Sequence, residues 1–122
     1  MTTVDASRIP VLVADDHGLL RNALAAFLDG IDDVEVVGVA RDGEEAVELA
    51  RTRHPRVVVM DVSMPRLDGL EATRRIRAID PRAHVVMVTD HGDEDTRRAA
   101  MEAGARSFVS KDDLFSLLDI LP

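Results

Sequence analysis

The chain has 122 residues, 46% of them hydrophobic, and a formal net charge of −8. That length and composition describe one globular domain with its own core rather than a disordered segment. The acidic balance argues against direct contact with a nucleic-acid backbone, the absence of cysteine excludes disulfides and thiolate metal sites, and no apolar run approaches the ~18 residues of a membrane span.

The opening "MTTVDASR" has no basic stretch followed by an apolar one, so it does not read as a signal peptide. Residues 1–8 are expected to form a loose tail ahead of a domain over 9–121. A cysteine-free chain without a leader suits a cytoplasmic location. The first strand is predicted over 9–14, "IPVLVA". Leu19, Leu20, Leu24, Phe27 and Leu28 then recur at helical spacing, with Gly30 placed to end the helix. "VEVVGVA" over 34–40 is the second strand, and 42–53 the second helix, striped by Ala46, Val47, Leu49 and Ala50. The third strand, 57–60, runs straight into Asp61. A helix over 70–79 carries Ala72, Ile76 and Ile79 and stops at Asp80–Pro81. "HVVMV" over 84–88 is the fourth strand, and 93–103 the fourth helix, closed by Gly104. "SFVS" over 107–110 is assigned as a strand from its position in the series, and a last helix is expected over 114–121. With aromatics at 2%, the core between these elements must be aliphatic.

Five βα units in succession imply an α/β fold: a five-stranded parallel sheet, doubly wound, with helices on both faces. In such sheets ligands sit beyond the carboxyl ends of the strands, where the strand order reverses. What those ends carry therefore matters. The first strand ends in Asp15 and Asp16, the third in Asp61 and the fourth in Thr89, and the fifth runs into Lys111. Each has a plain explanation alone. Asp16 suits a helix cap, Asp61 an exposed strand terminus, Thr89 a strand, and Lys111 any surface. Together they form a chemical set. Three carboxylates at one point repel unless a cation lies between them, and hard oxygen ligands suit Mg²⁺. A carboxylate facing Mg²⁺ and an ammonium can attack phosphorus and form an acyl phosphate.

The stretches "VLVADDHGLLRNALAAFL", "VVGVARDGEEAVELA", "VVVMDVSMPRLDGLEATRRIR", "VVMVTD" and "AGARSFVSKDD" resemble the receiver domains of bacterial two-component response regulators. Among these the chain is most similar to the subfamily with a LuxR-type helix-turn-helix output domain. The resemblance covers nearly all of 9–118 and implies the flavodoxin-like receiver fold. It implies that a sensor histidine kinase phosphorylates Asp61. Asp16 would bind Mg²⁺ directly, Asp15 mostly through water, and the Ser63 backbone carbonyl would be a further ligand. Thr89 would hydrogen-bond the phosphoryl group and Lys111 would pair with it. Thr89 and Phe108 would form the switch. The output surface would be the fourth helix, fifth strand and fifth helix, read out by homodimerisation and, through an output domain absent from this chain, by DNA binding. Ser63, Asp90 and His91 stand where the family tunes its phosphorylation chemistry.

Three departures from the family pattern stand out. Asp90 occupies a position that is usually small, and it either adds like charge to the phosphoryl gate or turns to solvent. Asp112 follows Lys111 where many receivers have proline, as is frequent in the LuxR-output branch. Phe108 has no hydroxyl, so a switch there rests on packing. Two other readings stay open: a Mg²⁺-dependent phosphohydrolase with an aspartyl-phosphate intermediate, and a binding module with this fold that takes no phosphate. The arginines Arg66, Arg74, Arg75 and Arg77 read as a solvated face beside acids. The "DG" pairs at Asp42–Gly43 and Asp68–Gly69 read as turns.

Overall fold

Val-rich runs of four to seven residues, each bounded by turn residues, hydrogen-bond into one sheet of five parallel strands in the order β2-β1-β3-β4-β5. The structure, a computed structural model, describes residues 8–64, 66–90 and 92–121. Its strands are β1 (Ile9–Ala14), β2 (Val34–Ala40), β3 (Val57–Asp61), β4 (His84–Thr89) and β5 (Ser107–Ser110). The helices are α1 (Gly18–Asp29), α2 (Gly43–Arg53), α3 (Gly69–Ile79), α4 (Glu94–Ala103) and α5 (Leu117–Ile120). The expected doubly wound α/β architecture is therefore present. The strand order reverses between β1 and β3, which places a crevice at their carboxyl ends.

Alternation along each strand divides the core in two. Leu12, Val58, Met60, Val85 and Met87 face Ala46, Ala50, Ala72, Ile76 and Ala100 of α2, α3 and α4. Val11, Val13, Val59, Val86, Val88 and Val109 face Leu24 and Leu28 of α1 and Leu117 of α5. Small residues on α2–α4 let those helices lie close to the sheet, so the core fills with branched aliphatics and no aromatic ring. β3 is buried at every residue, as a central strand covered on both faces must be.

Two strand ends bear on the site. Asp61 and Thr89 are the last residues of β3 and β4, as expected of the strand ends, one residue beyond the apolar runs 57–60 and 84–88. Their backbones are locked by the ladder, with Asp61 opposite Val88 and Thr89 opposite Ser110.

The last helix differs more. Lys111–Ser116 is a 3-10 turn, and only Leu117–Ile120 is α-helical. Asp113, at φ −132° and ψ 47°, breaks any continuous helix, while Ser110 Oγ accepts from the Asp112 N–H at 3.2 Å. Leu114 and Leu117, three apart, satisfy a 3-10 turn as well as an α-helix, so their spacing did not distinguish the two. At the first helix the cap position is His17 rather than Asp16, and it makes no side-chain cap bond. Asp16 is left available for other work. Most of the expected 1–8 tail lies outside the described residues.

Candidate functional site

The parallel sheet delivers Asp15, Asp61, Thr89 and Lys111 to one edge because each ends, or directly follows, a strand. Asp15, only 2% exposed, is fixed by its N–H donating to the Ala40 carbonyl at 3.1 Å. Its Oδ1 accepts the His17 N–H at 2.8 Å, and its carbonyl accepts from Arg21 at 3.1 Å. Asp61 is 4% exposed. Lys111 Nζ lies between them, 3.4 Å from Asp15 Oδ2 and 3.5 Å from Asp61 Oδ2. Asp61 Oδ1 accepts the Ser63 N–H at 3.3 Å, whereas the buried Oδ2 has no hydrogen-bond partner among the described residues. A buried carboxylate oxygen without a hydrogen bond is costly unless a positive group supplies what water did.

One ligand atom each from Asp15, Asp16, His17 and Asp61 lies within 4.8 Å of the others. That cluster is compact enough to surround a cation, and its three carboxylates offer the oxygen ligands a hard divalent ion prefers. His17 Nδ1 sits 3.2 Å from Asp16 Oδ1 and 3.4 Å from Asp15 Oδ1, a proximity that sequence reading missed. Only its place directly after the acid pair hinted at it.

The electrostatics agree with the geometry. Burial, and then the Asp15 charge, push the Asp61 carboxyl up to about 6 from its ordinary 3.8. Lys111 and the Ser63 N–H pull the other way without cancelling them. For Lys111, burial disfavours the ammonium, but Asp61, Asp15 and Asp90 together hold its pKa above the ordinary lysine value. Lys111 therefore remains charged between two buried acids.

The loop after Asp61 depends on two glycines. A Cβ on Gly69 would lie 2.0 Å from the Asp61 carbonyl oxygen, and one on Gly43 would lie 1.8 Å from the Leu67 carbonyl oxygen. Gly69 N–H donates to the Val62 carbonyl at 2.9 Å and closes the loop back on the strand end. Asp42 and Asp68, each directly before its glycine, cap α2 and α3 by accepting from Glu45 N–H at 2.8 Å and Glu71 N–H at 2.9 Å. Both "DG" pairs are thus helix starts pressed against the site loop, a closer role than turns alone. Ser63 is exposed at the mouth, beside an open cleft lined by Asp16, Val62, Met64, Asp68 and Leu70.

The remaining predicted positions fall around this centre. Thr89 is buried at the end of β4. Asp90 is two-thirds exposed, yet its Oδ1 is 3.9 Å from Lys111 Nζ. It therefore turns to solvent and still reaches the site's ammonium. Phe108, opposite Met87, is half-buried against the α2–α4 core. His91 lies outside the described residues. Arg74 and Arg75 pair with Glu71, as a solvated face should, but Arg77 instead donates to the Pro81 and Ala83 carbonyls.

Known proteins share this sequence pattern and fold. The profile of the response regulator receiver domain matches residues 11–121. The transcriptional regulatory protein LiaR of Bacillus subtilis is 43% identical over 105 residues, covering 84% of this chain and 49% of LiaR. A protein-glutamate methylesterase/protein-glutamine glutaminase of Methanococcus maripaludis is 40% identical over 116 residues, covering 93% of this chain and 32% of that protein. The crystal structure of a LuxR-family two-component response regulator from an Aurantimonas species superposes with a TM-score of 0.86 at 32% identity, over 93% of this chain and 84% of that one. The chain thus spans half or less of the length of these two curated relatives.

Proposed function

The chain belongs to the receiver-domain family of two-component response regulators, and from that premise we propose that Asp61 is its phosphoacceptor. Receivers are phosphorylation-controlled signalling domains. The observation that carries the assignment is Lys111 Nζ held 3.4 Å and 3.5 Å from Asp15 and Asp61, with Asp61 Oδ2 buried and without a hydrogen bond among the described residues. Such an oxygen keeps lone pairs for bond formation, and the ammonium beside it attracts an incoming phosphoryl group.

In the proposed step an Asp61 carboxylate oxygen attacks the phosphorus of a phosphohistidine on a sensor kinase. The O–P bond forms as the N–P bond breaks, and the imidazole nitrogen leaves with the electron pair. Lys111 offsets charge on the phosphoryl oxygens, and Thr89 offers a hydroxyl from the adjoining strand end. Asp15, Asp16, Asp61 and the Ser63 carbonyl are the residues that would hold a divalent cation. Mg²⁺, when bound, supplies positive charge that neutralises the phosphoryl oxygens. Ser63 and Asp90 stand at the entrance and, together with His91, would set the rates of loading and loss.

The domain catalyses only its own phosphorylation and dephosphorylation, and its product is a change of surface. Any separate enzymatic activity, such as that of the methylesterase relative, would belong to another domain. Movement of Thr89 toward the phosphoryl group, with Phe108 repacking behind it, would bias the α4–β5–α5 surface toward homodimerisation. DNA would be engaged through an output domain, in the cytoplasm. Among the described residues no helix is long and apolar enough to cross a membrane.

Intact-mass measurement after incubation with acetyl phosphate and Mg²⁺ tests the assignment. The expected gain is one phosphoryl group, absent without Mg²⁺ and in Asp61→Asn. Failure to gain it from acetyl phosphate and from a cognate kinase would refute the reading.

A further inference from the structure

The chain carries fourteen arginines and one lysine. Ten arginine side chains have a partner. Arg41, Arg51, Arg66, Arg74, Arg75, Arg97 and Arg98 pair with carboxylates. Arg21, Arg53 and Arg77 donate to backbone carbonyls. The other four, Arg8, Arg56, Arg82 and Arg106, have neither an ion pair nor a side-chain hydrogen bond among the described residues, and all four are exposed. They are not scattered. Arg8 directly precedes β1, Arg56 precedes β3, Arg82 stands two residues before β4, and Arg106 directly precedes β5. These strands are consecutive neighbours in the sheet, so the four form one row along its amino edge, opposite the phosphorylation site.

The row is anchored by its backbone. Arg56 N–H donates to the Pro10 carbonyl at 2.9 Å, and its own carbonyl accepts from His84 N–H at 2.8 Å. Arg106 N–H donates to the Val85 carbonyl at 2.9 Å. Strands about 4.8 Å apart make the row roughly 15 Å long. Between Arg56 and Arg82 lies a cavity lined also by His54, Pro55 and Asp80. The positive field is felt nearby: burial, then Arg106 and Arg77, lower the pKa of His84. A row of like charges is self-repelling, and no described acid neutralises these guanidinium groups.

We propose that this amino edge is a docking surface for an acidic segment of a partner protein. Guanidinium groups in a row match carboxylates through paired N–H donors. A single-signed polyanion fits less well, because the row is bordered at the β2 edge by Asp32 and Asp33 and contains Asp80. A protein segment can set a cation against those acids, whereas a nucleic acid or an anionic membrane offers only negative charge. The surface stands apart from the Asp61 site, so its test does not depend on phosphoacceptance.

Amide shifts of the ¹⁵N-labelled chain on titration with a peptide of six glutamates followed by a lysine read this surface directly. Shifts are expected at His54, Arg56, Arg82 and Arg106. Affinity should fall tenfold or more in 0.5 M NaCl and in the triple variant Arg56→Gln/Arg82→Gln/Arg106→Gln. That variant, and the milder Arg56→Gln alone, should keep the parent melting temperature. Absence of shifts at this edge, or unchanged affinity in both variants, would overturn the proposal. Stronger competition for the same amides by an oligothymidylate or by phosphatidylglycerol-containing vesicles would also overturn it, assigning the edge to the other ligand class.

Discussion

Asp61 is the residue on which stability and chemistry conflict. Its carboxyl is raised to about 6, so the folded chain holds a proton there more tightly than the unfolded chain does. The sign follows. This group penalises the fold least below about pH 4, and the penalty grows as pH rises through about 6. Asp61→Asn removes the charge while keeping the shape. It is expected to raise stability by about 1–3 kcal/mol at pH 7.5 without divalent ions, with the gain shrinking toward pH 4. Thermal melts across that range check it, and a variant less stable than the parent at pH 7.5 would contradict it. Asp90 is the second residue with a distinct expectation. It lies 3.9 Å from Lys111 and adds negative charge at the proposed entrance for an anionic donor. Asp90→Ala should speed loading of Asp61 from acetyl phosphate several-fold, since removal of one like charge at this range is worth up to about 1 kcal/mol. An unchanged rate, followed by intact mass, would show that Asp90 does not gate the site.

Among the elements, the β3–α3 connection sets the position of Asp61. Gly69 passes so close to the Asp61 carbonyl that no side chain fits, and Asp68 caps α3 directly before it. Gly69→Ala must push the loop off the strand end, a change expected to cost more than about 2 kcal/mol. Asp68→Ala should cost only about 1 kcal/mol, the usual loss of a cap. Urea unfolding of both variants separates the effects, and a Gly69→Ala as stable as the parent would mean that the loop relaxes freely. The "DG" signal was visible in the sequence, but only as a turn. Aspartate is a residue type that suits a cap, but the cap and the close approach both appear only once the fold sets which N–H and which carbonyl lie opposite. The final helix shows the reverse. Its leucine spacing fitted two helical forms, and the polar contacts of Ser110 and Ser116, with the break at Asp113, decided for a 3-10 turn.

At the scale of the whole molecule, the two ends of the sheet differ in charge: Asp15, Asp16 and Asp61 gather around Lys111 at one, and at the other stand four arginines without an ion pair among the described residues, bordered by Asp32, Asp33 and Asp80. The side chains of Met101 on α4 and Leu118 on α5 are exposed, whereas the exposed Phe115 stacks edge-on to Phe27 of α1 at 5.8 Å. The proposed switch predicts that phosphorylated chain doubles its mass in light scattering, that Asp61→Asn stays monomeric, and that Leu118→Lys weakens the dimer without lowering phosphate gain. A phosphorylated chain that remains monomeric at 100 μM and above would reject dimerisation as the output of this domain. The sequence by itself determined the five βα units, the side of the sheet on which Asp15, Asp16, Asp61, Thr89 and Lys111 gather, and the family resemblance. Hydrophobic period and strand-end chemistry are local properties, and right-handed crossovers convert them into a shared edge. Only the tertiary structure decided that Lys111 bridges Asp15 and Asp61 and that Asp61 Oδ2 has no hydrogen-bond partner among the described residues. It alone decided that His17 joins the acid cluster and that four arginines far apart in the chain form one row with no ion pair among the described residues. Those facts depend on distances between residues that meet only when parallel strands pair in register, and no local pattern carries them.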